Sequence, residues 1–157
     1  MKKVLFSLVP LLFILFACQD QQLETNYYLS LLGDSETWRL SGYEIILTPD
    51  EIKVGNGKLI MKEENKYITD SFSFDTYAVI NGVDHKIHAG SVSGRADIKE
   101  QTTGTLEGGA PIDFDELSGV YMIIEWWDPN ESDNVQERIN LYQKPEIDET
   151  FLNEESL

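Results

Sequence analysis

From residue 27 onward the apolar residues of this chain recur at every second position, with almost no helical periodicity. Residues 27–32 are apolar enough to open a fold, and Gly33-Asp34-Ser35 reads as a turn. Trp38 and Leu40 share one parity, and Tyr43, Ile45 and Leu47 share the other, with Ser41-Gly42 between them. Period two means a strand, and a parity change at a glycine predicts a β-bulge there. Pro49-Asp50 ends that strand. Residues 52–54 and 58–61 flank Gly55-Asn56-Gly57, which predicts a hairpin. Phe72 and Phe74 alternate with Ser71 and Ser73. Residues 77–80 and 83–88 flank Asn81-Gly82, whose residues accept the positive φ angles of a type I′ turn. A further strand is expected over 91–98. Gly104, Gly108 and Gly109 then loosen the chain as far as Pro111. Residues 119–128 form the most apolar strand after the leader and pair with 135–142 across a polar loop. The expectation is an all-β domain: an antiparallel β-sandwich of immunoglobulin-like outline, with a small β-barrel as the alternative. The immunoglobulin cysteine pair is absent, so that likeness is one of architecture.

The first residues follow a different rule. Lys2 and Lys3 precede an apolar run over 4–16, interrupted only by Ser7 and Pro10. This is the pattern of a secretory signal helix, shorter than the about 20 apolar residues that span a bilayer. Ala17 stands where cleavage would fall, and Cys18, the only cysteine in the chain, follows it. Leu15-Phe16-Ala17-Cys18 resembles the lipobox of bacterial membrane lipoproteins: an aliphatic residue, a variable one, a small one, then cysteine. That resemblance implies a diacylglyceryl group on the Cys18 thiol and cleavage between Ala17 and Cys18. Cys18 would then be the first residue of a protein held at the membrane outside the cytoplasm. One acyl chain binds a membrane only marginally, so a stable anchor uses two or more. The expected organisation is a signal peptide over 1–17, a lipidated tether over 18–26, a β-sandwich over 27–143 and an acidic tail over 144–157. The chain beyond the leader resembles the small lipoproteins common in bacterial genomes, which implies no mechanism.

Charge narrows the partners. Of 157 residues, 12 are Lys or Arg and 28 are Asp or Glu, a net charge of −16. Removal of the leader with its two lysines takes this to −18. Such a charge opposes binding to nucleic acid and docking of the protein surface on anionic lipid. A single cysteine leaves no internal disulfide to stabilise an exported fold.

Candidate chemistry is sparse. Gly33-Asp34-Ser35 resembles the opening motif of the Gly-Asp-Ser esterases, which also need a late histidine base, and no histidine follows His88. Gly90-Ser91-Val92-Ser93-Gly94 resembles a nucleophile elbow but centres on Val92. His85 and His88, at a spacing of three, are expected on opposite faces of an exposed strand and unable to share a metal. Asp128, Asn130, Ser132 and Asn134 follow the odd-position spacing of an EF-hand loop. However, Asp133 replaces its central glycine and Ile139 its terminal glutamate, so a polar hairpin loop is expected. A calcium ion there would use Asp128 and Asp133. No catalytic set and no cofactor are assigned.

Trp126 and Trp127 are adjacent on a strand and must face opposite sides. Val120, Met122 and Ile124 share parity with Trp126 and are all apolar, which places Trp126 in the core. Tyr121, Ile123 and Glu125 share parity with Trp127, so Trp127, Tyr121 and Ile123 form the candidate partner surface. Cover by residues 27–32 or by Phe151-Leu152 is the alternative. The functional expectation is a lipid-anchored, non-enzymatic binding or adaptor module with an envelope protein or glycan as partner. The alternative is a carboxylate-dependent hydrolase of envelope glycans.

Overall fold

The computed structural model describes residues 25–62 and 67–145. The leader, Cys18 and the acidic residues after Pro145 lie outside them. Among the described residues ten strands run in order: β1 (Tyr27–Asp34), β2 (Trp38–Leu47), β3 (Ile52–Gly55), β4 (Lys58–Met61), β5 (Ile68–Ile80), β6 (Val83–Asp97), β7 (Glu100–Thr102), β8 (Thr105–Gly109), β9 (Leu117–Asp128) and β10 (Asp133–Gln143). A short 3-10 turn, Phe114–Glu116, precedes β9. The strands form two antiparallel sheets packed face to face, an all-β sandwich.

One sheet has the order β10-β9-β5-β6. In the other, β1 and the β3/β4 pair lie on β2, with β8 outside β3 and β7 outside β4. The register explains this arrangement. Trp38↔Met61, Ser41↔Lys58, Glu44↔Gly55 and Leu47↔Ile52 lie on one unshifted ladder. β3 and β4 are therefore two halves of a single line along β2, and β8 and β7 continue alongside them.

This corrects the expected hairpin at Gly55-Asn56-Gly57. The real reversal is at 48–51, where the Thr48 amide donates to the Glu51 carbonyl at 3.0 Å and the Glu51 amide to Thr48 Oγ1 at 3.0 Å. Gly55-Asn56-Gly57 is a kink inside a strand line. Asn56 N–H donates to the Gly104 carbonyl at 2.8 Å, Thr103 N–H to the Gly57 carbonyl at 2.9 Å, and Gly57 N–H to Thr103 Oγ1 at 2.9 Å. Gly55 has φ +135°, and a Cβ there would sit 2.0 Å from the Gly104 carbonyl oxygen, so only glycine fits. The glycine-rich stretch after 103 likewise carries strand β8 instead of an open loop.

The bulge foreseen at Ser41-Gly42 is present. Between the pairs Leu31↔Tyr43 and Gly33↔Leu40, β2 carries one residue more than β1. Trp38 and Leu40 on one side of the bulge, and Tyr43, Ile45 and Leu47 on the other, all reach the core. The Asn81-Gly82 turn also forms, with φ of 51° and 77° and Ile80 opposite Val83. The strand expected over 91–98 is the continuation of β6, an unbroken element of 15 residues.

Aromatic rings join the sheets. Trp38 on β2 meets Phe72 on β5 at 5.4 Å and Trp126 on β9 at 5.6 Å between ring centroids. Trp38, Trp126, Phe72, Met122 and Ile124 are all buried. Each such side chain contributes roughly 1.5–3 kcal/mol by leaving water, and this apolar burial stabilises the sandwich.

Candidate functional site

Alternation along β9 turns Val120, Met122, Ile124 and Trp126 inward and Tyr121, Ile123, Glu125 and Trp127 outward. The three residues of the candidate surface thus share the outer face of the β10-β9-β5-β6 sheet, but they do not form one open patch. Tyr121 is only 8% exposed. Its ring stacks on Tyr77 of β5 with centroids 5.1 Å apart and planes at 16°. The Arg138 guanidinium of β10 lies 3.6 Å from its centroid on the other side. Lys86 of β6 stands 5.7 Å from the Tyr77 ring and pairs with Asp75 at 2.5 Å. Arg138, Tyr121, Tyr77 and Lys86 therefore make a row of cation, ring, ring and cation across all four strands. Such contacts are worth about 0.5–1 kcal/mol each at the surface. The cover over Tyr121 comes from within its own sheet, whereas residues 27–32 belong to β1 in the opposite one. Phe151-Leu152 lies outside the described residues.

Trp127 is half-buried at the far end of the same face and lines a separate cleft with Arg95, Asp70 and Pro129. Ile123 lies between the two ends, with Arg138 and Asp75 as its register neighbours.

Beside the stacked row, the outer face holds a groove of about 670 Å³, within the usual range for small-ligand sites. Gly119, Tyr121, Arg138, Asn140, Gln143 and Lys144 are among the residues that line it. Among the described residues no Asp or Glu contributes to the lining. In a chain of net charge −16, that absence makes the groove a local exception. Arg138 Nε donates to Asn140 Oδ1 at 2.9 Å, which fixes the guanidinium over the ring. Among the described residues Arg138 has no carboxylate partner. Lys144 Nζ donates to the Asp115 carbonyl at 2.7 Å. Burial pushes the Tyr121 hydroxyl up, and the nearby Asp84 carboxylate adds to that shift. Sequence periodicity gives no sign of this groove, because Arg138, Asn140 and Tyr121 meet only through the β9–β10 register.

The histidines correct the expectation of two exposed side chains on opposite faces. A bulge between the pairs Thr76↔His88 and Tyr77↔Lys86 resets the alternation. His85 stands opposite Ala78 and His88 opposite Thr76, both inward residues. His85 is exposed, but His88 is buried at 5% exposure. Its Nδ1 lies 3.1 Å from the Tyr43 hydroxyl, and its ring meets Phe74 edge-on at 5.3 Å. Burial lowers the His88 pKa and raises that of Tyr43.

Asp128 and Asp133 are register partners at the mouth of the β9–β10 hairpin. Asp128 Oδ1 accepts from the Asn130 amide at 2.7 Å, and Asp133 Oδ1 from the Asn134 amide at 2.8 Å. Burial pushes the Asp128 carboxyl up, but hydrogen bonds from Tyr67 and the Asn130 and Glu131 amides outweigh it and hold the pKa down. Among the described residues no three His, Cys, Asp or Glu side chains group as metal ligands would.

Other shifted carboxyls move the same way. Asp34 is lowered by its hydrogen bond and charge pairing with Lys62, and Glu44 by hydrogen bonds from Asn56 and Tyr28. At Glu137 burial raises the pKa, but hydrogen bonds from Ser35 and Thr37 prevail and lower it. Gly90 to Gly94, the elbow-like stretch, lies within β6.

Among the described residues no helix is long and apolar enough to cross a membrane. Comparison of the chain with protein-family models, with curated protein sequences and with solved structures finds no match.

Proposed function

We propose that this protein is a lipid-anchored bacterial binding module, held outside the cytoplasm through Cys18, that takes an acidic saccharide of the cell envelope in the Gly119–Arg138 groove. The observation that carries this reading is a groove in a strongly acidic chain to which no described Asp or Glu contributes, lined by Arg138 with no ionic partner among the described residues. A planar guanidinium recognises a carboxylate through two parallel hydrogen bonds. The side-chain amides of Asn140 and Gln143 both donate and accept, as sugar hydroxyls require. Carboxylates elsewhere on the surface would repel an acidic ligand, which favours binding at this groove.

The hydrolase reading finds less support. A glycosidase general acid needs a raised pKa. Among the described residues the shifted carboxyls, Asp34, Glu44, Asp128 and Glu137, are all lowered, and none lines the groove.

Calorimetric titration with a galacturonic acid trisaccharide, and with a glucose trisaccharide as neutral control, tests the proposal. The acidic sugar is expected to bind and the neutral one to bind more weakly. Arg138→Ala and Gln143→Ala should each weaken the acidic sugar by about tenfold or more, the scale of one lost charge-assisted or buried hydrogen bond. Equal binding of both sugars, or binding unaffected by Arg138→Ala, would sink the reading.

A further inference from the structure

At the Trp127 end of the outer face, both ladders that flank β5 break. The β5–β9 ladder stops at Phe72↔Trp126, so Trp127 stands one residue beyond its last pair. Between the β5–β6 pairs Thr69↔Ala96 and Ser71↔Ser93, β5 carries Asp70 alone while β6 carries Gly94 and Arg95. This is a β-bulge, and Gly94 supplies a positive φ of 82° within it. A bulge re-aims the side chains beside it. Here it sets Asp70 level with Arg95, and both line one cleft with Trp127. Ile68 and Pro129 complete the wall. The cleft holds about 340 Å³, at the small end of the range for small-ligand sites. Its strands are tied together, because Thr69 Oγ1 donates to the Trp127 carbonyl at 2.5 Å past the end of the β5–β9 ladder. Trp127 is half-buried, while Asp70 and Arg95 are exposed.

The three side chains define a ligand class. Asp70 and Arg95 share the cleft but form no ion pair with each other. A carboxylate only accepts hydrogen bonds and a guanidinium only donates them. A sugar hydroxyl does both, so neighbouring hydroxyls of one ring can donate to Asp70 and accept from Arg95. An indole adds a broad apolar surface, which suits the C–H face of a pyranose. The charges of Asp70 and Arg95 offset each other, so a net charge on the ligand gains nothing here. We infer that this cleft is a second sugar site, which takes a neutral pyranose ring against the Trp127 indole with its hydroxyls between Asp70 and Arg95. It is separate from the Arg138 groove. Tyr121 and Trp127 stand at opposite ends of the outer row of β9, roughly 20 Å apart at the rise of a strand. The inference does not depend on what the Arg138 groove binds.

Tryptophan emission tests it. Trp38 and Trp126 are buried, so Trp127 is the indole that a collisional quencher reaches. The full chain, in a detergent without a sugar headgroup, is quenched with acrylamide. The added probes are neutral trisaccharides of glucose, galactose, mannose or N-acetylglucosamine, with the galacturonic acid trisaccharide as the charged comparison. At least one neutral sugar is expected to protect Trp127, and to do so better than the acidic one. Arg95→Ala and Asp70→Ala should each weaken that sugar by about tenfold, the scale of one lost charge-assisted hydrogen bond. Both positions are exposed, so the circular dichroism melt should stay as in the wild type. Protection should persist in Arg138→Ala, which separates this cleft from the groove. The inference is overturned if no neutral sugar protects Trp127, or if the acidic sugar protects it equally well. It is also overturned if protection survives both Arg95→Ala and Asp70→Ala, or disappears in Arg138→Ala.

Discussion

The Trp126 indole meets the Trp38 ring edge-on, with centroids 5.6 Å apart and planes at 75°. One ring comes from each sheet, and Phe72 packs on the same Trp38. Among the described residues neither indole N–H has a hydrogen-bond partner, so the contact between the rings is one of packing. Trp126→Ala is expected to cost about 3–5 kcal/mol, the usual range for a large aromatic removed from a core. Trp127→Ala, on the half-buried outer side, should cost clearly less. Denaturant unfolding of the two variants checks the order, and greater damage from Trp127→Ala would reverse the assignment of faces.

His88 makes stability depend on pH. Burial lowers its native pKa below the reference value of 6.5, and the groups packed on it are Tyr43, Thr76 and Phe74, with no carboxylate. The unfolded chain therefore binds the proton more readily than the folded one. The His88 contribution is fully present above about pH 6.5. It is lost as pH falls from there toward the lower native value. Urea midpoints measured between about pH 7 and 5 should fall with acidification in the wild type. They should fall less in His88→Phe, whatever that variant's absolute stability. An identical slope in both proteins would contradict a buried, neutral His88.

The kink at Gly55 should be far less tolerant than the turn at Gly82. A Cβ at Gly55 would sit 2.0 Å from the Gly104 carbonyl oxygen, whereas nothing lies within 4 Å at Gly82. Both have positive φ, 135° and 77°. Gly82→Ala is expected to cost about 1 kcal/mol from backbone strain alone. Gly55→Ala should exceed it, because the β3 and β8 backbones must move apart. Comparable thermal midpoints for the two variants would show that the strand line relaxes freely there.

The proposed anchor rests on a single thiol. Metabolic labelling with an alkynyl fatty acid should mark the wild type, while Cys18→Ser should remain an unlabelled precursor. Serine at this position is too weak a nucleophile to accept the diacylglyceryl group. Label on the Cys18→Ser protein would end the lipoprotein reading.

Local pattern by itself determined most of the strands, though not β7 and β8, along with the bulge at Ser41-Gly42, the type I′ turn at Asn81-Gly82 and the inward choice of Trp126. Each follows from period two or from the φ angles that a residue tolerates, and those are properties of neighbours in the chain. The pairing at Gly55-Asn56-Gly57 was decided by tertiary structure. Residues 52–54 and 58–61 could close on each other, but the ten-residue β2 offers both segments a single continuous ladder. His88 went inside because a bulge opposite Thr76 reset the alternation that a spacing of three implies. The groove belongs to the same class. Arg138, Asn140, Tyr121 and Gly119 are brought together by the antiparallel register of β9 and β10, itself shifted between Asn140 and Tyr142. No local rule contains that register, because it is set by which faces the two sheets bury against each other.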